Sequence, residues 1–137
     1  MAPDTTIERA AYIMQTENIS SLPVMAGGQL VGIVTSTDVM AVLLQAIGMS
    51  EESLRMGVLV DDQIGRLAEV TAIFQAARIN IQSFFCWPVP EYPDISHLVI
   101  RVAKAEGDAA VTALTAGGFK VLTRYEQDLR PFLPAAA

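Results

Sequence analysis

From Val39 to Ile47 the chain is apolar nearly all the way round a helix: Val39, Met40, Val42, Leu43, Leu44 and Ile47 leave no polar stripe. Such a helix must be covered on more than one side. The residues before it offer little cover. Ile7, Ala10, Ala11 and Met14 recur at helical spacing behind the helix-starting Asp4, Thr5 and Thr6. Leu22-Pro23-Val24-Met25 reads as a short strand, Gly27-Gly28 as a tight hairpin turn, and Gln29 to Thr35 as the return strand. A unit over residues 1–49 is too small to enclose the second helix alone. It predicts a packing partner.

Residues 50–137 predict a second unit after a junction at Gly48-Met49-Ser50. Leu54, Met56, Val58 and Val60 alternate as in a strand. Asp61 to Gly65 is a loop, and Leu67, Val70, Phe74 and Ala77 form a helical seam. Ile79 to Trp87 has the β-branched and aromatic content of a strand, followed by a loop stiffened by Pro88, Pro90 and Pro93. Leu98, Ile100 and Val102 mark a third strand. Asp108 is placed to cap a short helix carrying Val111 and Leu114, stopped at Gly117-Gly118. Phe119 to Tyr125 is the last strand and Asp128 to Ala137 an irregular tail. The order βαββαβ predicts a two-layer α/β sandwich with an antiparallel sheet. Large apolar residues on both sides of the Ile79–Trp87 strand predict that the sheet face away from the helices needs a neighbour, supporting a homodimer or higher homo-oligomer.

The stretch Gly32-Ile-Val-Thr-Ser-Thr-Asp38 turns from apolar strand into hydroxyls and a carboxylate where the second helix starts. A helix N-terminus attracts anions such as phosphate, and hydroxyls add donors. A carboxylate would repel phosphate but suits a ribose diol, so the corner fits a nucleoside phosphate. Helix capping explains the same residues without a ligand. The pieces Asp4-Thr5-Thr6, Leu22-Pro23-Val24 and Gly32 to Asp38 resemble a CBS motif over residues 3 to about 49. The resemblance implies a β-α-β-β-α unit with its first strand missing, which reads as the second half of a pair. It also implies an adenosyl ligand (AMP, ATP or S-adenosylmethionine) contacted by Thr35, Thr37 and Asp38, with Thr6 and the backbone from Ser21 through Pro23 to Val24 lining the adenine pocket.

Asp62, Gly65, Leu67-Ala68 and Asn80-Ile81 resemble the opening of an ACT domain, whose fold is the ferredoxin-like βαββαβ sandwich. Gly65 permits a tight turn into the helix, leaving amides near Gly65 and Arg66 for an α-carboxylate, and Asn80 carries a donor and an acceptor. The resemblance implies an amino acid held at a dimer interface by Asp62, Ile64, Gly65, Arg66 and Asn80. Ile64 stands where proline is usual in the family, and Arg78 where glycine is usual. The bland alternative is that Asp62 and Gly65 only make a turn.

The order CBS then ACT is similar to the acetoin-utilization-type CBS–ACT proteins. It implies a non-catalytic, ligand-sensing regulator; the rival reading is an oligomerisation module with no small ligand. No catalytic group, metal set or cofactor is expected: His97 and Cys86 are the only residues of their types, and no Ser-His-Asp order or phosphate-cradling loop occurs. A net charge of -6 with scattered basic residues argues against nucleic acid. No apolar run is long enough for a membrane span, and no signal-peptide pattern is visible, so the expected location is cytoplasmic.

Overall fold

The computed structural model describes residues 1–135 as two compact units, Met1–Ala46 and Ile47–Ala137 less its last two residues. The first begins with helix α1 (Ile7–Thr16), capped by Thr6, whose hydroxyl accepts from Arg9 N–H at 3.2 Å. Strands β1 (Ser21–Ala26) and β2 (Gln29–Thr35) pair as an antiparallel hairpin turned at Gly27-Gly28. Helix α2 (Ser36–Ala46) follows at once. The sequence places its start at Val39; the helix begins three residues earlier because Thr35 and Asp38 cap it. Ala10, Met14, Leu22 and Val39 form a small core, with Ile7, Ile13 and Val34 packed on it. The order α-β-β-α is the one expected of the motif without its first strand.

That core consumes little of the unit's apolar surface. Leu30, Val31 and Ile33 on β2 stay exposed, as do Met40, Val42, Leu43 and Leu44 on α2. Val31 is a bulge in β2: the register sets Leu30 opposite Met25 and Ile33 opposite Pro23, both on the side away from Leu22 and Val34, so that side of the hairpin is left largely uncovered.

The second unit runs β3 (Ser53–Asp61), α3 (Arg66–Ala77), β4 (Ser83–Pro88), β5 (Ile95–Ala103), α4 (Gly107–Ala116) and β6 (Val121–Leu122). The sheet order is β4-β5-β3-β6 with every neighbour antiparallel, the ferredoxin-like βαββαβ arrangement. Met56, Val58 and Val60 of β3 and Leu98, Ile100 and Val102 of β5 point toward the helices. There they meet Val70 and Phe74 of α3 and Ala110 and Leu114 of α4. The sequence reading puts Leu67 and Ala77 in this seam; both are exposed, and Ile73 packs instead.

Three other expectations are corrected. The strand drawn from Ile79 starts only at Ser83. Arg78, at φ 59 and ψ 38, ends α3 in the left-handed region, and Ile79 N–H turns back to Phe74 O at 3.0 Å. Ile79 is thereby buried in the helix-side core rather than extended. Asp108 lies inside the first turn of α4 and not at its cap, which is Glu106. The last strand keeps only two paired residues, and Tyr125 stands 87% exposed beyond it.

The opposite sheet face is not left wholly to a neighbour, as the sequence reading has it. Leu59 and Leu122 there pack with Val89, Tyr92 and Ile95 from the proline loop and its exit. Leu129, Phe132 and Leu133 of the C-terminal segment, around a single 3-10 turn at Arg130–Phe132, add to this cover. The chain thus shields the half of the face nearest β6 itself. The other half, around Phe85, Trp87, Val99, Arg55 and Arg101, lies outside that cluster.

Candidate functional site

At the start of α2, Thr35 N–H and Thr35 Oγ1–H both donate to Asp38 Oδ2, each at 2.8 Å, and Asp38 N–H donates back to Thr35 Oγ1 at 3.2 Å. This is a reciprocal cap of the Thr-x-x-acid kind. It holds the Asp38 carboxyl below the usual carboxylate range, first through the Thr35 N–H and then through its hydroxyl. Asp38 Oδ1 takes part in no hydrogen bond among the described residues. Ser21 pairs with Thr35 across the hairpin, and Ser36 N–H donates to Ser20 O at 2.8 Å, so Ser21, Thr35 and Asp38 share one end of the unit. Thr37 is exposed beside them. Thr6 is tied to its own helix, and the Pro23 carbonyl accepts from the Met1 ammonium at 2.7 Å. The corner therefore has an open carboxylate oxygen and an apolar flank along β2 and α2.

In the second unit the β3–α3 loop is closed by a two-pronged ion pair. Arg66 Nε donates to Asp61 Oδ1 at 2.6 Å and Arg66 Nη2 to Asp61 Oδ2 at 2.9 Å. Arg66 Nη1 also reaches Glu69 Oε1 at 3.1 Å. The hydrogen bond to Arg66 holds Asp61 below its ordinary range, and Asp61 in turn raises the guanidinium. Gly65 sits at φ 95, where a side chain would be strained, and lets the chain turn straight into α3. The sequence expects free amides at both Gly65 and Arg66. Arg66 N–H is instead engaged, with Gln63 O at 3.3 Å, while no hydrogen bond among the described residues uses Gly65 N–H. Asp62, Gly65 and Arg66 line a recess of about 120 Å³ together with Cys86 and Ser96. Ile64 projects fully into solvent. Asn80 is exposed in the middle of the α3–β4 connection and does not line the recess.

Sequence reasoning names Arg66 for its amide and misses its ion pair with Asp61, although an aspartate and an arginine five apart across a turn is a legible signal. Cys86 and Ser96 carried none: they meet the recess only through the register that sets Cys86 beside Leu98. Among the described residues no group of three or more His, Cys, Asp or Glu could hold a metal ion. Among the described residues no helix is long and apolar enough to cross a membrane.

The sheet's second face holds the single histidine. The His97 ring lies over Gly57 so closely that a Cβ there would overlap it, and its Nε2 is buried without a hydrogen-bond partner. Burial, and then the nearby Arg55 charge, push the imidazole below its ordinary value. The folded state therefore keeps His97 neutral where the unfolded chain takes up a proton. Stability from this site is present above about pH 6.5 and is lost as pH falls below that value. A urea midpoint measured from pH 8 to 5 is expected to fall on the acid side, and His97→Phe is expected to flatten that fall.

The CBS domain family model matches residues 1–45, and the model of the AHAS small subunit-like ACT domain matches residues 56–116. Among solved structures, the regulatory subunit of aspartate kinase from Thermus flavus aligns at a TM-score of 0.47 and 18% identity, over 52% of this chain and 50% of that one. The same subunit from Thermus thermophilus, in its ligand-free form, aligns at 0.48 and 21% identity, over 55% and 52%. The chain spans about half the length of these two structures.

Proposed function

We propose that this chain, a CBS domain followed by an ACT-like domain, is a non-catalytic regulator that senses an adenosyl nucleotide through its first unit. Both domain types are regulatory, ligand-sensing modules. The observation that carries the reading is the corner at Asp38: a carboxylate with one oxygen uncommitted, flanked by apolar β2 and α2 surface that one copy cannot cover. A second CBS motif, from another copy or from elsewhere in a longer chain, would cover that surface and complete the pocket around AMP, ATP or S-adenosylmethionine. Asp38 would take the ribose diol, Thr35 and Thr37 the phosphate side, and Thr6 with Ser21 to Pro23 the base. A ligand that bridges two modules favours one arrangement of them, which turns binding into a signal. A cytoplasmic setting and a role like that of the acetoin-utilization-type proteins go with this reading.

Calorimetry with the three ligands tests it. One of them is expected to give saturable heat, and Asp38→Asn to weaken that binding at least about tenfold. The asparagine keeps an oxygen for the Thr35 donors, so the helix start survives while the charge is lost. Silence from all three ligands would defeat the proposal.

For the second unit we propose an amino-acid site in which the recess at Asp62, Gly65 and Arg66, with Ile64 on its rim, is completed by Asn80 of a second copy. That Asn80 does not line its own recess is what a shared site requires. A thermal-shift screen of the amino acids is expected to find a stabilising one whose effect Asn80→Ala removes. Equal shifts in the two proteins would discard Asn80.

The competing reading, an oligomerisation module without ligands, is favoured by one observation. Thr35 and Asp38 already satisfy each other, so the corner is chemically complete as a helix cap. The calorimetry separates the two.

A further inference from the structure

Three of the six arginines of the second unit are spoken for. Arg66, Arg124 and Arg130 each hold a carboxylate. Arg55 and Arg101 are different. They sit directly opposite each other on β3 and β5, on the sheet face away from the helices. Like charges in that position repel. Arg101 is only 9% exposed, yet its guanidinium finds just Ser53 Oγ at 3.1 Å and Met49 Sδ at 3.1 Å. The Arg55 side chain makes no hydrogen bond or ion pair among the described residues. In a chain with 15 acidic residues against nine basic ones, two adjacent arginines without an acid are an unmet demand for negative charge.

Of the two, Arg55 lines a cavity of about 510 Å³, together with Trp87, His97, Arg124, Tyr125 and Glu126 among others. The size suits a small molecule. Glu126 is engaged with Arg124 at 2.9 Å, so it does not answer Arg55. Trp87 is 51% exposed and Tyr125 mostly exposed, which gives the cavity two aromatic walls with free surface. A partly desolvated guanidinium grips a carboxylate through two parallel hydrogen bonds, and aromatic walls take a flat apolar body.

We infer that this cavity is a binding site for a small organic anion with a flat apolar body, its carboxylate held by Arg55 and its body lying between Trp87 and Tyr125. The site is separate from both the Asp38 corner and the β3–α3 recess, and it needs only one copy of the chain.

Trp87 is the sole tryptophan, so its fluorescence reads the site directly. Titrating the full chain with benzoate is expected to change that emission saturably, while neutral benzamide leaves it unchanged. Arg55→Gln is expected to weaken benzoate binding at least about tenfold. Tyr125→Ala, at a position too exposed to matter for folding, is expected to weaken it severalfold. An equal response to benzamide, or an unchanged benzoate affinity in Arg55→Gln and Tyr125→Ala, would overturn the inference. So would an emission that follows protein concentration and ignores benzoate, since that would assign the face to a second copy.

Discussion

Truncating Ile100 to alanine is expected to destabilise the second unit by roughly 2–5 kcal/mol, the usual cost of a large-to-small change in a closed core. Ile100 is fully buried on β5, an inner strand, and stands between Met56 on β3 and Phe84 on β4. Urea unfolding followed at Trp87 is the right readout, because that residue sits on β4 and reports this unit alone. With two compact units, a whole-chain melt would mix two transitions. Leu67→Ala is the matched control. It lies on the same helix as the core residues Val70 and Phe74 but is exposed, so its change is expected within about 0.5 kcal/mol. A loss below 1 kcal/mol for Ile100→Ala would mean that the core does not run through this strand.

The second large effect concerns association. Ile33→Glu on β2 is expected to leave the stability of an isolated first unit nearly unchanged, because the side chain is 63% exposed. Self-association measured by sedimentation is expected to weaken far more, by at least about tenfold, since a charge set into an apolar contact leaves a desolvated carboxylate without a partner. Gln29→Glu, exposed at the hairpin end of the same strand, is expected to have little effect on either measurement. Equal association by wild type and Ile33→Glu would show that copies do not meet at this surface.

Periodicity carried most of the fold. The alternation from Leu54 to Val60 and from His97 to Val102 fixed two central strands and the face each side chain takes. It failed where a backbone angle overrode composition. Ile79 to Gln82 have strand-forming residues among them, but the left-handed turn at Arg78 spends them on closing α3. It failed again at the tail, whose Leu129, Phe132 and Leu133 show no period and are ordered by the sheet face they cover. The site was legible where its parts are neighbours in sequence, as at Thr35 and Asp38. It was not legible where strand register assembles it. Nothing local in the sequence brings Arg55 to Arg101, or Trp87 to His97.

The clasp between Thr35 and Asp38 has a consequence for any molecule that docks there. A ligand that seizes Oδ2 must first unfasten the staple holding the first turn of α2, and its grip is weakened by whatever that release costs. A ligand that uses only Oδ1 leaves the staple shut. The exchange rate of a single amide proton, that of Thr35, would tell these two docking routes apart.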